Sequence, residues 1–292
     1  QGRVAMDGES PRNEPLELED GRRLRWREYG HPEGRPVLYC HGLPGSRLEH
    51  HPDSGMAARR GIRFIVPDRP GYGRTDPRSG RVLGEEAEDV TALADHLGLA
   101  TFDVMGFSGG GPHALALAAR LPDRVRRLQL ISSLAPFDQV GTAGLAEGNR
   151  QLWDLARTDF PAFARVLEEA IEASGGAYGL LVGGALEPDR EVFADQALAS
   201  AYSRDLEEAL RQGLAGMLED AAAITAPWPF SVESIEVPAG IWHGEQDANA
   251  SIAMGRWLAH RLPRAELTEW PGAAHFEIFR RWDETLEALA SD

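Results

Sequence analysis

Three side chains far apart along the chain, Ser108, Asp247 and His275, have the types and the order needed to make one nucleophile. A serine hydroxyl attacks a carbonyl only when a base takes its proton and a carboxylate holds that base in the productive tautomer. Ser108 stands in Gly106-Phe107-Ser108-Gly109-Gly110, a G-x-S-x-G string. Such a string gains meaning from a strand before it and a helix after it. Here Thr101 to Met105 reads as a short buried strand, and Pro112 to Leu121 as an Ala/Leu-rich helix. A serine held at a sharp turn leaves no room for a Cβ beside it, which accounts for the glycines. The helix start then aims amide N–H groups at the place where an oxyanion would form. A glycine-rich loop whose serine merely caps a helix would carry the same letters. The partners therefore decide.

His275 lies in Trp270-Pro271-Gly272-Ala273-Ala274-His275-Phe276, after the strand-like run Ala265 to Glu269 and before a helix expected over 276–290. Asp247 leaves the end of another buried run, Ala239 to Gly244. The order Ser, Asp, His matches the strand-turn-helix setting of the nucleophile. Two other carboxylates compete for the acid's place. Asp138 comes several residues after the strand Arg126 to Ser133, and Glu245 sits two residues nearer its strand than Asp247 and reads as a surface charge.

Two further stretches carry a resemblance: Tyr39-Cys40-His41-Gly42-Leu43-Pro44-Gly45-Ser46 and Val66-Pro67-Asp68-Arg69-Pro70-Gly71-Tyr72-Gly73. With the serine turn and the Asp and His loops, they make the chain resemble the α/β-hydrolase superfamily, in its serine-esterase and proline-iminopeptidase-like branch, from Leu16 to Ala290. The resemblance implies an α/β fold: a mostly parallel central sheet, helices on both faces and an inserted helical cap. It implies an oxyanion hole made by the backbone N–H groups of Leu43 and Gly109, with His41 and Asp68 bracing nearby loops. It implies hydrolysis of an ester, or a related acyl bond, of a small molecule through an acyl-enzyme, without a cofactor. Proline iminopeptidases usually carry Trp after the serine, where Gly109 stands here, so the aminopeptidase is a runner-up. Cofactor-free haloperoxidases are similar at the serine turn, and a slow ligand sensor with the same triad is a further alternative. Serine rather than aspartate at 108 argues against epoxide hydrolases and haloalkane dehalogenases.

The elements that must position these groups alternate. A hairpin is expected from Leu16 to Tyr29 around Asp20-Gly21, strands at Pro36 to His41 and Arg63 to Asp68, and a helix from Leu48 to Arg60 between them. Glu85 to Leu97 has helical apolar spacing, and alternating strands and helices predict a parallel sheet covered on both faces. From 135 to 230 the pattern becomes helical throughout, with stretches at Gly144 to Arg157, Pro161 to Ser174, Arg190 to Ala199 and Asp205 to Ala223. This divides the chain into a flexible segment 1–15, a core of 16–134 and 231–292, and a helical cap of 135–230. The cap should shape a pocket, with Phe107, Trp153, Phe163, Trp228 and Phe276 as candidate lining. Gly175-Gly176, Gly179 and Gly183-Gly184 read as a loop between cap helices, with hinges of a mobile lid as the alternative. Glu168, Glu169 and Glu172 read as a solvated helix face, or as a site for a substrate ammonium in the peptidase alternative.

Composition bounds the rest. The chain has 292 residues, a formal net charge of −16 and 42% hydrophobic residues, enough to bury one large core. That charge argues against a nucleic-acid partner. The single cysteine, Cys40, excludes an internal disulfide and is expected to pack as a small apolar group. No apolar run is long enough to span a membrane and none reads as a signal peptide, so a soluble, cytoplasmic protein is expected. The pair His50-His51 lacks carboxylates or thiols to complete a metal site, and no Lys follows the glycines as a P-loop needs. Neither a metal nor a cofactor is implied, and nothing in the sequence speaks to an oligomeric state.

Overall fold

Strand residues alternate between two faces, and here the alternation sorts side chains into two separate cores. In β4 (Arg35–Cys40), Leu38 and Cys40 face one core, while Val37 and Tyr39 face the other. In β6 (Phe102–Phe107), Phe102 and Val104 join the first, Met105 and Phe107 the second. A sheet apolar on both faces must be covered on both. The structure, a computed structural model, describes residues 14–290. The expected flexible segment 1–15 falls almost wholly outside them.

The main sheet has seven strands. In spatial order these are β3 (Trp26–Gly30), β5 (Ile62–Pro67), β4, β6, β7 (Val125–Ile131), β8 (Ala239–Gly244) and β9 (Ala265–Trp270). Only β3 runs antiparallel, at the edge against β5. All other neighbours are parallel. On the first face lie α2 (Glu86–His96), α3 (Gly110–Arg120) and α11 (Ile252–Arg261). On the second lie α1 (Gly55–Arg59) and α12 (Ile278–Ala290). This is an α/β fold with helices on both faces of a mostly parallel sheet.

Between β7 and β8 the described chain contains helices and no strand. These are α4 (Phe137–Val140), α5 (Glu147–Thr158), α6 (Phe160–Ala173), α7 (Ala177–Gly183), α8 (Glu187–Val192), α9 (Gln196–Ala209) and α10 (Ala215–Thr225). Several expected boundaries shift. The helix expected over 190–199 is broken at 193–195, because Asp195 turns to cap α9 by accepting the Ala197 and Leu198 amides. The stretch expected over 205–223 is two helices, parted at Gly213 with φ +88°. The glycine-rich run expected as a loop contains α7.

Two expectations fail near the N-terminus. The hairpin is only β1 (Leu16–Glu17) on β2 (Arg23–Leu24), and the following residues instead join the main sheet as β3. The helix expected from Leu48 to Arg60 shrinks to α1. Residues 41–54 form a loop because Arg47 and Glu49 turn inward to bond buried groups rather than outward as helix residues would.

Candidate active site

Parallel strands deliver their following loops to one edge of the sheet, where ligands are bound in such folds. Four loops meet there: 41–54 after β4, the serine turn after β6, Asp247 after β8 and His275 after β9. Ser108 itself has φ +54°, a left-handed conformation uncommon for a residue with a Cβ. Its neighbours must be glycine for contact reasons. A Cβ on Gly106 would lie 2.6 Å from the Gly110 carbonyl oxygen and 2.8 Å from Ala114 Cβ, and one on Gly110 would strike the Cys40 carbonyl. The turn is closed by Ser108 N–H donating to Ile131 O at 2.9 Å and Gly111 N–H to Ser108 O at 3.0 Å. The Ser108 side chain is half-buried, open enough to be reached.

The three candidate residues meet. His275 Nε2 is 2.9 Å from Ser108 Oγ, and His275 Nδ1 is 2.8 Å from Asp247 Oδ2. The other carboxylate oxygen, Oδ1, accepts the Asn249 and Ala250 amides, each at 2.9 Å. Burial alone would raise the Asp247 carboxyl, but His275 and His243 outweigh it and hold it well below the usual carboxylate range. Burial would lower His275, yet the Asp247 carboxylate more than offsets this and its imidazole is raised above its ordinary value of 6.5. The ring of Phe107 lies 5.1 Å from that imidazole and Phe276 meets it edge-on at 5.0 Å. The competing carboxylates Asp138 and Glu245 are both exposed.

The 41–54 loop approaches the serine turn closely. A Cβ on Gly109 would lie 2.5 Å from Leu43 Cβ and 3.4 Å from Leu43 N. Among the described residues, neither the Leu43 nor the Gly109 amide donates to a partner in the chain. Two adjacent free N–H groups beside a nucleophile can hold developing negative charge. Buried polar groups fix this loop. Glu49 accepts the Gly42 N–H, Arg69 Nη2 donates to Gly42 O at 2.7 Å, and His41 Nε2 accepts the Arg69 N–H at 3.1 Å. Asp68 accepts the Arg47 N–H at 2.6 Å and the Arg74 N–H at 3.0 Å.

Of the candidate lining residues, Phe107 and Phe276 pack in an aromatic cluster with Phe193, Tyr202 and Phe279. Trp153 and Phe163 share a cluster with Leu43 beside Tyr72 and Met217. Trp228 packs on Leu83, Ala116 and Ala223, its Nε1–H donating to Ile224 O at 3.0 Å. Glu168, Glu169 and Glu172 are exposed on α6. Cys40 is buried and its thiol is pushed up to about 12. The ring of His50 stacks on Tyr29 at 3.7 Å, and among the described residues no cluster of His, Cys, Asp or Glu could hold a metal. No helix among them is long and apolar enough to cross a membrane.

Several buried groups at the site are not among the candidates read from the sequence. Asp189, in the first turn of α8, reads in Glu187-Pro188-Asp189-Arg190 as an ordinary helix start, yet it is buried against the His275 loop. Asp205 on α9 accepts the Ser46 N–H and hydroxyl at 3.0 and 2.6 Å. Asp220 on α10 is fully buried and pairs with Arg69 at 2.8 Å. Asp189 stands in a first turn, where an acid ordinarily faces water, whereas Asp205 and Asp220 share the buried faces of their helices, the first with Leu198, Tyr202 and Ala209 and the second with Met217 and Ile224.

Comparison with known proteins agrees with this architecture. A family model described as "alpha/beta hydrolase fold" matches residues 35–280. A pimeloyl-[acyl-carrier protein] methyl ester esterase of Chromobacterium violaceum is 30% identical, over 88% of this chain and 94% of that protein. A non-heme haloperoxidase of Rhodococcus erythropolis is 28% identical, over 88% of this chain and 90% of that protein. Among solved structures, an alpha/beta hydrolase fold protein from Nakamurella multipartita superposes with a TM-score of 0.68 at 26% identity, covering 94% of this chain and 99% of that one.

Proposed function

The chain belongs to the alpha/beta-hydrolase fold family, and from that premise we propose that this enzyme is a serine hydrolase that cleaves a carboxylic ester of a small molecule. The observation that carries the reading is the continuous hydrogen-bonded line from Ser108 Oγ through the His275 imidazole to Asp247, with steps of 2.9 and 2.8 Å. His275 takes the proton from Ser108, whose oxygen attacks the ester carbonyl. The Leu43 and Gly109 amides receive the oxyanion of the tetrahedral intermediate. His275 then gives its proton to the leaving alcohol, and water cleaves the acyl-enzyme by the same route. Asp247 keeps the proton on Nδ1 and stabilises the imidazolium without itself being protonated. The 135–230 segment acts as a cap, with Trp153 and Phe163, which share a cluster with Leu43, offering apolar surface to the acyl group.

The test is labelling by a fluorophosphonate and turnover of p-nitrophenyl esters. Wild type should label at Ser108 and turn over the ester, while Ser108→Ala should fold and do neither. Labelling retained in the variant would exclude Ser108. The ester reading is preferred to the aminopeptidase because the glutamates suited to a substrate ammonium are exposed on α6. Proline p-nitroanilide turnover above that of the ester would reverse this preference. The haloperoxidase relative supports perhydrolysis as a second activity of the same triad, checked by peracid formation from acetate and hydrogen peroxide.

A further inference from the structure

Asp189 is 3% exposed, and among the described residues no arginine is found acting on it. Its Oδ1 accepts the Phe276 N–H at 2.7 Å and its Oδ2 the His275 N–H at 3.2 Å. On the opposite side, Ser132 Oγ donates to His275 O at 3.1 Å. The backbone of residue 275 is thus held through its carbonyl by the core and through its amide by α8. An uncharged side chain or a water could satisfy two amides without bringing a charge out of water, so a buried acid at this position points to a use for its charge. The cation available nearby is the one formed during acyl transfer, on the His275 ring.

We propose that Asp189 is a positioning residue for His275: it clamps the two successive amides of the turn that presents the imidazole, and its charge stabilises the imidazolium. The proposal rests on the triad reading above. The acidic groups acting on that imidazole come from three elements: Asp247 from the loop after β8, Asp189 from α8 and Glu49 from the loop after β4. Around Asp189 itself stand His275, Asp247 and the Tyr202 hydroxyl of α9. Burial pushes the Asp189 carboxyl up and His275 draws it back down, while Asp189 in turn raises His275. The clamp belongs to the inserted segment, so that segment cannot swing away whole without releasing the histidine.

The experiment compares wild type, Asp189→Asn and Asp189→Glu in fluorophosphonate labelling and p-nitrophenyl acetate hydrolysis across pH. Asparagine keeps the shape but turns an NH2 toward one amide and removes the charge. We expect kcat and the labelling rate to fall ~10–100-fold with KM little changed, as a misplaced catalytic group gives. Loss of the charge should also move the acid limb of kcat/KM to lower pH, because the imidazole no longer has that anion beside it. Glutamate should return the limb toward wild type. Wild-type rates and limb in folded Asp189→Asn overturn the proposal, and so does a slower variant whose limb has not moved, which would mark a merely structural role. If Asp189→Asn gives no cooperative melt, Asp189→Ser, which admits water to the amides, is read by the same criteria. Wild type that does not label at Ser108 overturns the triad reading and the clamp together; wild type that labels, with unaltered variants, overturns the clamp alone.

Discussion

Glu49 accepts the Gly42 N–H with both carboxylate oxygens, at 2.9 and 3.1 Å, one residue before the Leu43 amide. The Tyr39 hydroxyl donates to the same group at 2.7 Å. The loop that carries Leu43, proposed above as an oxyanion donor, is therefore fastened by a buried acid.

That acid predicts a pH dependence of stability. Burial raises Glu49 to about 7 from its ordinary 4.5, against the opposing pull of Tyr39 and the Gly42 amide. A folded value above the unfolded one means that the protonated form stabilises the fold. This contribution is complete below about 4.5 and disappears as pH rises through about 7. Glu49→Gln, a neutral mimic, should match wild type near pH 4 and exceed it by ~1–3 kcal/mol near pH 8, where wild type must hold a buried charge. Denaturant melts at the two pH values measure this; parallel curves for both proteins refute it.

Catalysis should fall on its acid side as His275 is protonated. Its imidazole is raised by Asp247, so kcat/KM should rise with pH across a midpoint above the ordinary 6.5. Asp247→Asn should shift that midpoint downward and lower kcat by ~10⁴-fold, since the amide favours the wrong tautomer. A pH-rate profile of the variant with an unmoved midpoint would sink the assignment of Asp247.

Backbone strain at the proposed nucleophile gives a third expectation. Ser108 occupies φ +54°, which glycine adopts freely. Among inactive variants, Ser108→Gly should be more stable than Ser108→Ala by up to ~1 kcal/mol, the relief of strain being partly offset by unfolded-state entropy. Thermal melts of the two settle it, and a less stable glycine variant would show that the turn stores no strain at this residue.

The pairing of Arg69 with Asp220 joins α10 to the 41–54 loop, because the same guanidinium donates to Gly42 O. Asp220 also pairs with Arg81 at 2.5 Å. Asp220→Ala leaves two buried guanidinium groups uncompensated and should cost about 3–5 kcal/mol in a urea melt. A loss under about 1 kcal/mol, the range of exposed pairs, would show that water takes the carboxylate's place.

Much of this arrangement was legible before any coordinates. The serine turn, the Asp and His loops and the strands that carry them have local causes: glycines where a Cβ has no room, and apolar runs of strand length. The expected helix over 48–60 was not met, because inward bonds from Arg47 and Glu49 overrode local preference. The partners of Asp189, Asp205 and Asp220 were invisible for a related reason. The spacing of Asp205 and Asp220 with apolar neighbours puts them on buried helix faces, but the partner of a buried acid is not legible locally: those partners lie 86, 159 and 151 positions away at His275, Ser46 and Arg69. Helix ends also drifted where a side chain, as at Asp195, capped a backbone group mid-pattern.

Three carboxylates of the helical insertion reach down to backbone or guanidinium groups of the sheet's upper edge, which bears on engineering. A chimera that grafts a foreign segment between β7 and β8 would discard these anchors. Transplants that retain acids able to reach Ser46, Arg69 and the amide of residue 275 should keep the 41–54 loop and the His275 turn in place, and those that lack them should not.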